Sequence, residues 1–192
     1  MAAPVEALAR LLEVPDRLEI RYAIGGSAAS SAHGIPRTTL DIDLVVDLQP
    51  GQIDGFAAEL GREFYIDAAS MRDAFTKGRS ANIIHLATAW KFDLFPLRGD
   101  EYSRTEFGRR TFREISPDGR NVMECAMASA EDTILRKLEW YRPGGENSER
   151  QWNDLLGVCR TAKDRLDVAY LRQWAGYLKV EYLLENLLAE SG

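Results

Sequence analysis

Residues 41–48, "DIDLVVDL", constrain the fold more than any other stretch of this chain. Alternate side chains of a strand share a face, so Ile42, Leu44 and Val46 point into a core while Asp41 and Asp43 share the opposite face. Their Cβ atoms then lie roughly 7 Å apart. Two carboxylates so placed repel each other, which raises a pKa or destabilises the fold. A divalent cation between them reverses the sign of that cost. Carboxylate oxygens are the hard ligands that Mg²⁺ prefers, and Mg²⁺ keeps positions open for phosphate oxygens. The spacing therefore predicts a metal perch at the start of a half-buried strand; the alternative is a charged strand edge.

A glycine corner precedes that strand, in "GGSAASSAHG" at 25–34. Gly25 and Gly26 let the backbone approach a ligand closely. Ser27 is expected to begin a helix whose free N–H groups and positive dipole end suit a phosphate. A phosphate cradle joined by a short loop to a metal perch describes a site for a nucleoside triphosphate. Rival motifs fail on particular residues. No Lys follows the glycines as in a P-loop, G-x-G-x-x-G is absent, and Ser27 lacks the second glycine of a G-x-S-x-G elbow. An EF-hand requires polar residues after its acids, where this chain has Leu44, Val45 and Val46. The D-x-D of haloacid-dehalogenase phosphatases ends its strand, whereas Asp41 and Asp43 open theirs.

Up to about residue 125, strand-like and helix-like pieces alternate. The first twenty residues read as a short amphipathic helix, "IRYAIGG" as a strand, and "PGQIDGFAAELGRE" and "AASMRDAFTKG" as helices. "SANIIHLATAWKFDLFPL" gives two strands, the second carrying Asp93, with Lys91 on the same face and Phe92 and Leu94 buried. "RTFREI" and "NVMECA" flank the turn "SPDG" as a hairpin. From Ala128 the pattern is helical. Ser129 and Asp132 stand at capping-box spacing, Asp167 caps a third helix, and "KVEYLLENLLAE" is a fourth. The reading is thus an α/β (α+β) chain, a mixed sheet flanked by helices, with a core over 1–126 and a helical region over 127–192.

The 192 residues suit one domain or a core domain with a helical extension. A net charge of −6 excludes a protein that lives by sequence-independent nucleic-acid binding, but not an enzyme with a local basic groove. The stretch 98–120 holds six arginines against five acids and reads as a mixed solvated surface. Cys125 and Cys159 lack metal-type spacing and are expected as reduced core residues. With no signal-like start and no apolar run of membrane length, the expected location is the cytoplasm.

"GGS", thirteen residues and "DID" together resemble the signature of the DNA polymerase β-type nucleotidyltransferase superfamily. The resemblance implies that Gly26 and Ser27, with Gly25, hold triphosphate, and that Asp41 and Asp43 bind two Mg²⁺ ions, for which Mn²⁺ can substitute. It also implies a third carboxylate from a later strand, a place "WKFDLFPL" fills with Asp93. The alternative for Asp93 is a surface pairing with Lys91 or an arginine. The helical half, "EDTILRKLEWYR…ERQWNDLLGV", is similar to the AbiEii-type abortive-infection nucleotidyltransferase toxins. Lys137 and Asp154 fill that family's lysine and aspartate positions, with Asn153 where the family more often has Lys. The alternatives are a snorkelling Lys137 and an Asp154 paired with Arg150.

The implied activity is transfer of an NMP from an NTP to an acceptor hydroxyl, on an RNA or tRNA end, a protein or a small molecule. The AbiEii likeness adds a toxin with an antitoxin partner. The alternative is a catalytically idle binding module or antitoxin on the same fold. His33 is expected to be a solvated loop residue, His85 a strand residue without chemistry, and Trp140, Trp152 and Trp174 helix-packing anchors.

Overall fold

The computed structural model describes residues 4–35, 41–115 and 122–192. In chain order the elements are α1 (Pro4–Arg17), β1 (Tyr22–Ile24), α2 (Gly26–His33), β2 (Asp41–Val46), α3 (Ile53–Leu60), β3 (Phe64–Tyr65), α4 (Ala68–Thr76), β4 (Ala81–His85), β5 (Trp90–Pro96), α5 (Glu101–Gly108), β6 (Thr111–Ile115), β7 (Met123–Met127), α6 (Ala130–Tyr141), α7 (Glu149–Ala162), α8 (Val168–Leu178) and α9 (Glu181–Ser191). They fall into two units. One comprises Met1–Ile24 and Leu40–Met127, the other Gly25–Thr39 and Ala128–Gly192.

The first unit is built on a sheet whose described strands run in the order β3-β4-β5-β2-β1-β7-β6. β2 and β5 are parallel, as are β1 and β7. The remaining neighbours are antiparallel, including the β6–β7 hairpin, so the sheet is mixed. The expected turn "SPDG" lies outside the described residues. β2 alternates half-buried and buried positions, as its sequence demands, and Ile42, Leu44 and Val46 are core residues. Phe92 and Leu94 on β5 stand opposite Ile42 and Leu44 and are likewise buried. α1 presents Leu8, Leu11 and Leu12 to the core and packs on α3, which packs on α4.

Two elements depart from the sequence reading. The arginine-rich stretch contains a helix, α5, started by Asp100, whose carboxylate accepts from Ser103 N at 2.8 Å. Tyr102 and Phe107 anchor it by full burial, and the Arg21 and Arg110 guanidinium groups stack on the Phe107 ring. Two apolar residues among many charges are too few for a helical stripe to stand out. β3, only two residues long, likewise carries no periodic signal.

The second unit is helical. α2 consists almost wholly of small residues, "GSAASSAH", and packs on both α6 and α7. A Cβ at Gly34 would lie 2.7 Å from Val158 N and 2.8 Å from Gly157 C, so only glycine permits this approach to α7. Through this packing α2 belongs with the helical unit although it precedes β2 in the chain. Ser129 caps α6 by accepting from Asp132 N. Asp132, which spacing marks only as a capping partner, is 0% exposed and also accepts from Ser129 Oγ at 2.6 Å and Tyr170 Oη at 2.7 Å. Glu131 accepts from Asp167 N at 3.0 Å. Buried carboxylates with several donors thus fasten the start of α8 to the start of α6.

Cys125 and Cys159 are free thiols in the interior. His33 is not a solvated loop residue. It ends α2 in a buried position with Nε2 2.7 Å from the Ala128 carbonyl, because a helix continues where the sequence reading placed a loop. His85 lies in β4, bonded through Nδ1 to Thr88 Oγ1, with its ring tilted 54° against that of Phe64. Trp174 is buried and Trp152 packs on Tyr141, but Trp140 is 63% exposed and is not a buried anchor. No helix among the described residues is long and apolar enough to cross a membrane.

Candidate active site

The β2–β5 register brings together the carboxylates of the first unit. Asp43 is the partner of Asp93, and Asp41 that of Lys91. Because both strands bury the intervening positions, Asp41, Asp43, Lys91 and Asp93 occupy one face. Neighbouring strands lie about 4.8 Å apart and alternate residues about 7 Å apart, so three acids share a small patch of sheet. All four residues are half-buried. The pairing of Asp93 with Lys91, given above as the alternative to a metal-binding Asp93, is present, with Nζ 2.9 Å from Asp93 Oδ2. The hydrogen bond to Asp93 holds the Lys91 ammonium above the usual lysine range, with the charges of Asp93, Asp41 and Asp43 adding to it and partial burial opposing it.

Among the described residues, no three His, Cys, Asp or Glu side chains close into a metal-holding group. The chemistry of Asp41, Asp43 and Asp93 nevertheless fits a divalent ion. The donors are hard oxygens on one face, and they already attract a cation, the Lys91 ammonium. β4 extends the face, with Asn82 opposite Asp93.

The remaining predicted residues lie in the helical unit. α2 begins at Gly26 rather than Ser27, with Gly25 as its N-cap. Gly26 has φ 54°, a left-handed conformation that favours glycine. Gly25 offers no side-chain oxygen to the first turn of α2, and a Cβ placed there would meet no atom of the described residues within 4 Å. The first N–H groups of a helix have no acceptor within the helix itself. The Ser27 carbonyl accepts from Ser30 Oγ at 3.1 Å. Lys137 and Asp154 find each other: Nζ lies 2.9 Å from Asp154 Oδ2, with the side chains only 12% and 11% exposed. The two positions singled out by family likeness thus form a mostly buried ion pair between α6 and α7.

ANT(2'')-Ia, described as an antibiotic-resistance factor, has a solution structure that matches with TM-score 0.51 at 18% identity, over 95% of this chain and 95% of that one. Its crystal structure with adenylyl-2''-tobramycin matches with TM-score 0.51 at 18% identity, over 93% and 98%. An antigenic nucleotidyltransferase-like protein from Paracoccidioides brasiliensis matches with TM-score 0.51 at 15% identity, over 97% and 94%. The chain has a nucleotidyltransferase fold. No protein-family model matches it, and no curated protein sequence does.

Within this nucleotidyltransferase fold, sequence reasoning overlooked the roles of two polar side chains beside the acids. The shared face of Lys91 and Asp93 was visible from their spacing, but the place of Lys91 opposite Asp41 required the register of a strand some fifty residues away. Asn82 carries no motif, and only its pairing with Asp93 marks it.

Proposed function

We propose that this protein is a nucleotidyltransferase that moves an NMP from an NTP to an acceptor hydroxyl. The register that sets Asp43 against Asp93, with Asp41 on the same face, carries the reading. Asp41, Asp43 and Asp93 would hold two Mg²⁺ ions. Such ions supply charge neutralisation at the α-phosphate and lower the pKa of the acceptor hydroxyl. Asp93 takes the hydroxyl proton, and the freed oxygen bonds to the α-phosphorus. The bond from that phosphorus to the bridging oxygen breaks, and pyrophosphate leaves with the electron pair. Gly25, Gly26 and Ser27 would donate backbone N–H groups to the triphosphate. Lys137 would neutralise part of its charge, with Asp154 holding the lysine in place.

The ANT(2'')-Ia complex contains an adenylylated small molecule, which makes ATP the first donor to try and a polyhydroxylated small molecule the first acceptor. A second reading, an AbiEii-like toxin acting on a tRNA end or a protein and held by an antitoxin, is favoured by the direct pairing of Lys137 with Asp154. Thermal unfolding with each of the four NTPs and Mg²⁺ or Mn²⁺ tests the shared core of both readings. Binding to the folded state must raise Tm, by an amount set by about 2.7 kcal/mol at one hundred times Kd. No shift with any metal–NTP pair would favour an idle binding module instead.

A further inference from the structure

Lys91 places a positive charge against the acidic face at close range: Nζ lies 2.9 Å from Asp93 Oδ2, and Lys91 stands opposite Asp41 in the ladder. We infer that Lys91 is a tethered counter-ion, which neutralises the acidic face when no divalent ion is bound and withdraws when one binds. The protein's affinity for metal is then set in part by competition with its own ammonium. This rests on the proposed function only in taking Asp41, Asp43 and Asp93 as metal ligands.

The physical case starts from repulsion. Three carboxylates crowded on two adjacent strands destabilise one another unless a cation stands among them. At the β4 register positions facing Asp93 and Lys91, the residues are Asn82 and Ile84, so β4 supplies no positive charge there. Lysine also suits a cation that must leave. Its ammonium is a point charge on a four-carbon stem, whereas arginine's planar fork grips a carboxylate with two bonds at once. Lys91 is 42% exposed while Asp93 is 15% exposed, so the lysine can swing into water and leave the carboxylate in place. A divalent ion brings twice the charge and engages several oxygens together, which an ammonium hydrogen-bonded to Asp93 cannot match.

The test compares wild type, Lys91→Met and Asp43→Asn. Mn²⁺ affinity is measured by calorimetry without nucleotide, and Tm is measured with and without Mn²⁺. Lys91→Met is expected to bind Mn²⁺ at least tenfold more tightly. Its metal-free Tm should fall below wild type, and the gap should close at saturating Mn²⁺. In wild type, the Lys91 ammonium ¹H–¹⁵N signal, identified by its loss in Lys91→Met, should be protected in metal-free protein and vanish on adding Mg²⁺. Persistence of that signal at saturating Mg²⁺, or a Mn²⁺ affinity in Lys91→Met within twofold of wild type, overturns the inference. If wild type transfers NMP while Lys91→Met keeps wild-type metal affinity, only this inference fails. If neither wild type nor Lys91→Met binds Mn²⁺, the metal-ligand reading fails with it.

Discussion

Asp43 faces Asp93 across two parallel strands, and an amide in its place removes a charge while keeping the shape. Asp43→Asn should lower NMP transfer by about 10³-fold, the scale of losing several kcal/mol of transition-state stabilisation. The fold should persist, because the change also relieves a like-charge repulsion; steady-state transfer rates and circular dichroism on the same sample check both. Cys125 makes a different prediction. Burial pushes its thiol from 9.0 up to about 11. Between those values the unfolded chain has lost a proton that the folded chain keeps, so stability is complete below about pH 9 and falls as pH rises through 11. The loss amounts to about 3 kcal/mol. Burial raises the Tyr22 hydroxyl as well, so the decline continues beyond. Urea unfolding at pH 8 and pH 11 should show this drop in wild type and a smaller one in Cys125→Ala. At this scale, the face of each acid was legible from alternation in "DIDLVV" and "WKFDLF". Lys91's full role was not, because a strand's own spacing does not reveal what stands across the ladder.

The elements depend on contacts that charge and size make specific. Lys137 and Asp154 tie α6 to α7 from nearly buried positions. Either single change breaks a mostly buried ion pair, so Lys137→Met or Asp154→Leu alone should cost about 3 kcal/mol. The double substitution should cost clearly less than the sum of the two, as a chemical-denaturation cycle will show. If the double variant also regains stability but not transfer, Lys137 acts on substrate as well as on the fold. α2 depends on Gly34 in a similar way. Gly34→Ala would force a methyl group to 2.7 Å from the Val158 backbone nitrogen, and a loss of about 1–3 kcal/mol is expected from overpacking. Capping signals were readable here: Ser129 and Asp167 each start a helix as their positions suggest. α5 was not, since Tyr102 and Phe107 are its only apolar anchors and its charges mask them. The burial of His33 was equally hidden, because it follows from how closely a helix of small residues approaches its neighbours.

For the whole chain, the switch from alternating strands and helices to helices alone was legible: β7 ends at Met127, and the elements described after it are helices. The assignment of Gly25–Thr39 to the helical unit was not, because it follows from packing between segments about a hundred residues apart. The mixed sheet and the nucleotidyltransferase fold agree with the glycine corner and acid pair from which the reading began. The proposal that the acidic face serves nucleotidyl transfer is tested most directly by incubating the purified protein with α-labelled NTPs, Mg²⁺ and a cell extract resolved into small-molecule, RNA and protein fractions. Label is expected in one fraction with wild type and almost none with Asp43→Asn. Equal labelling by the two proteins would contradict a role for the acidic face in transfer.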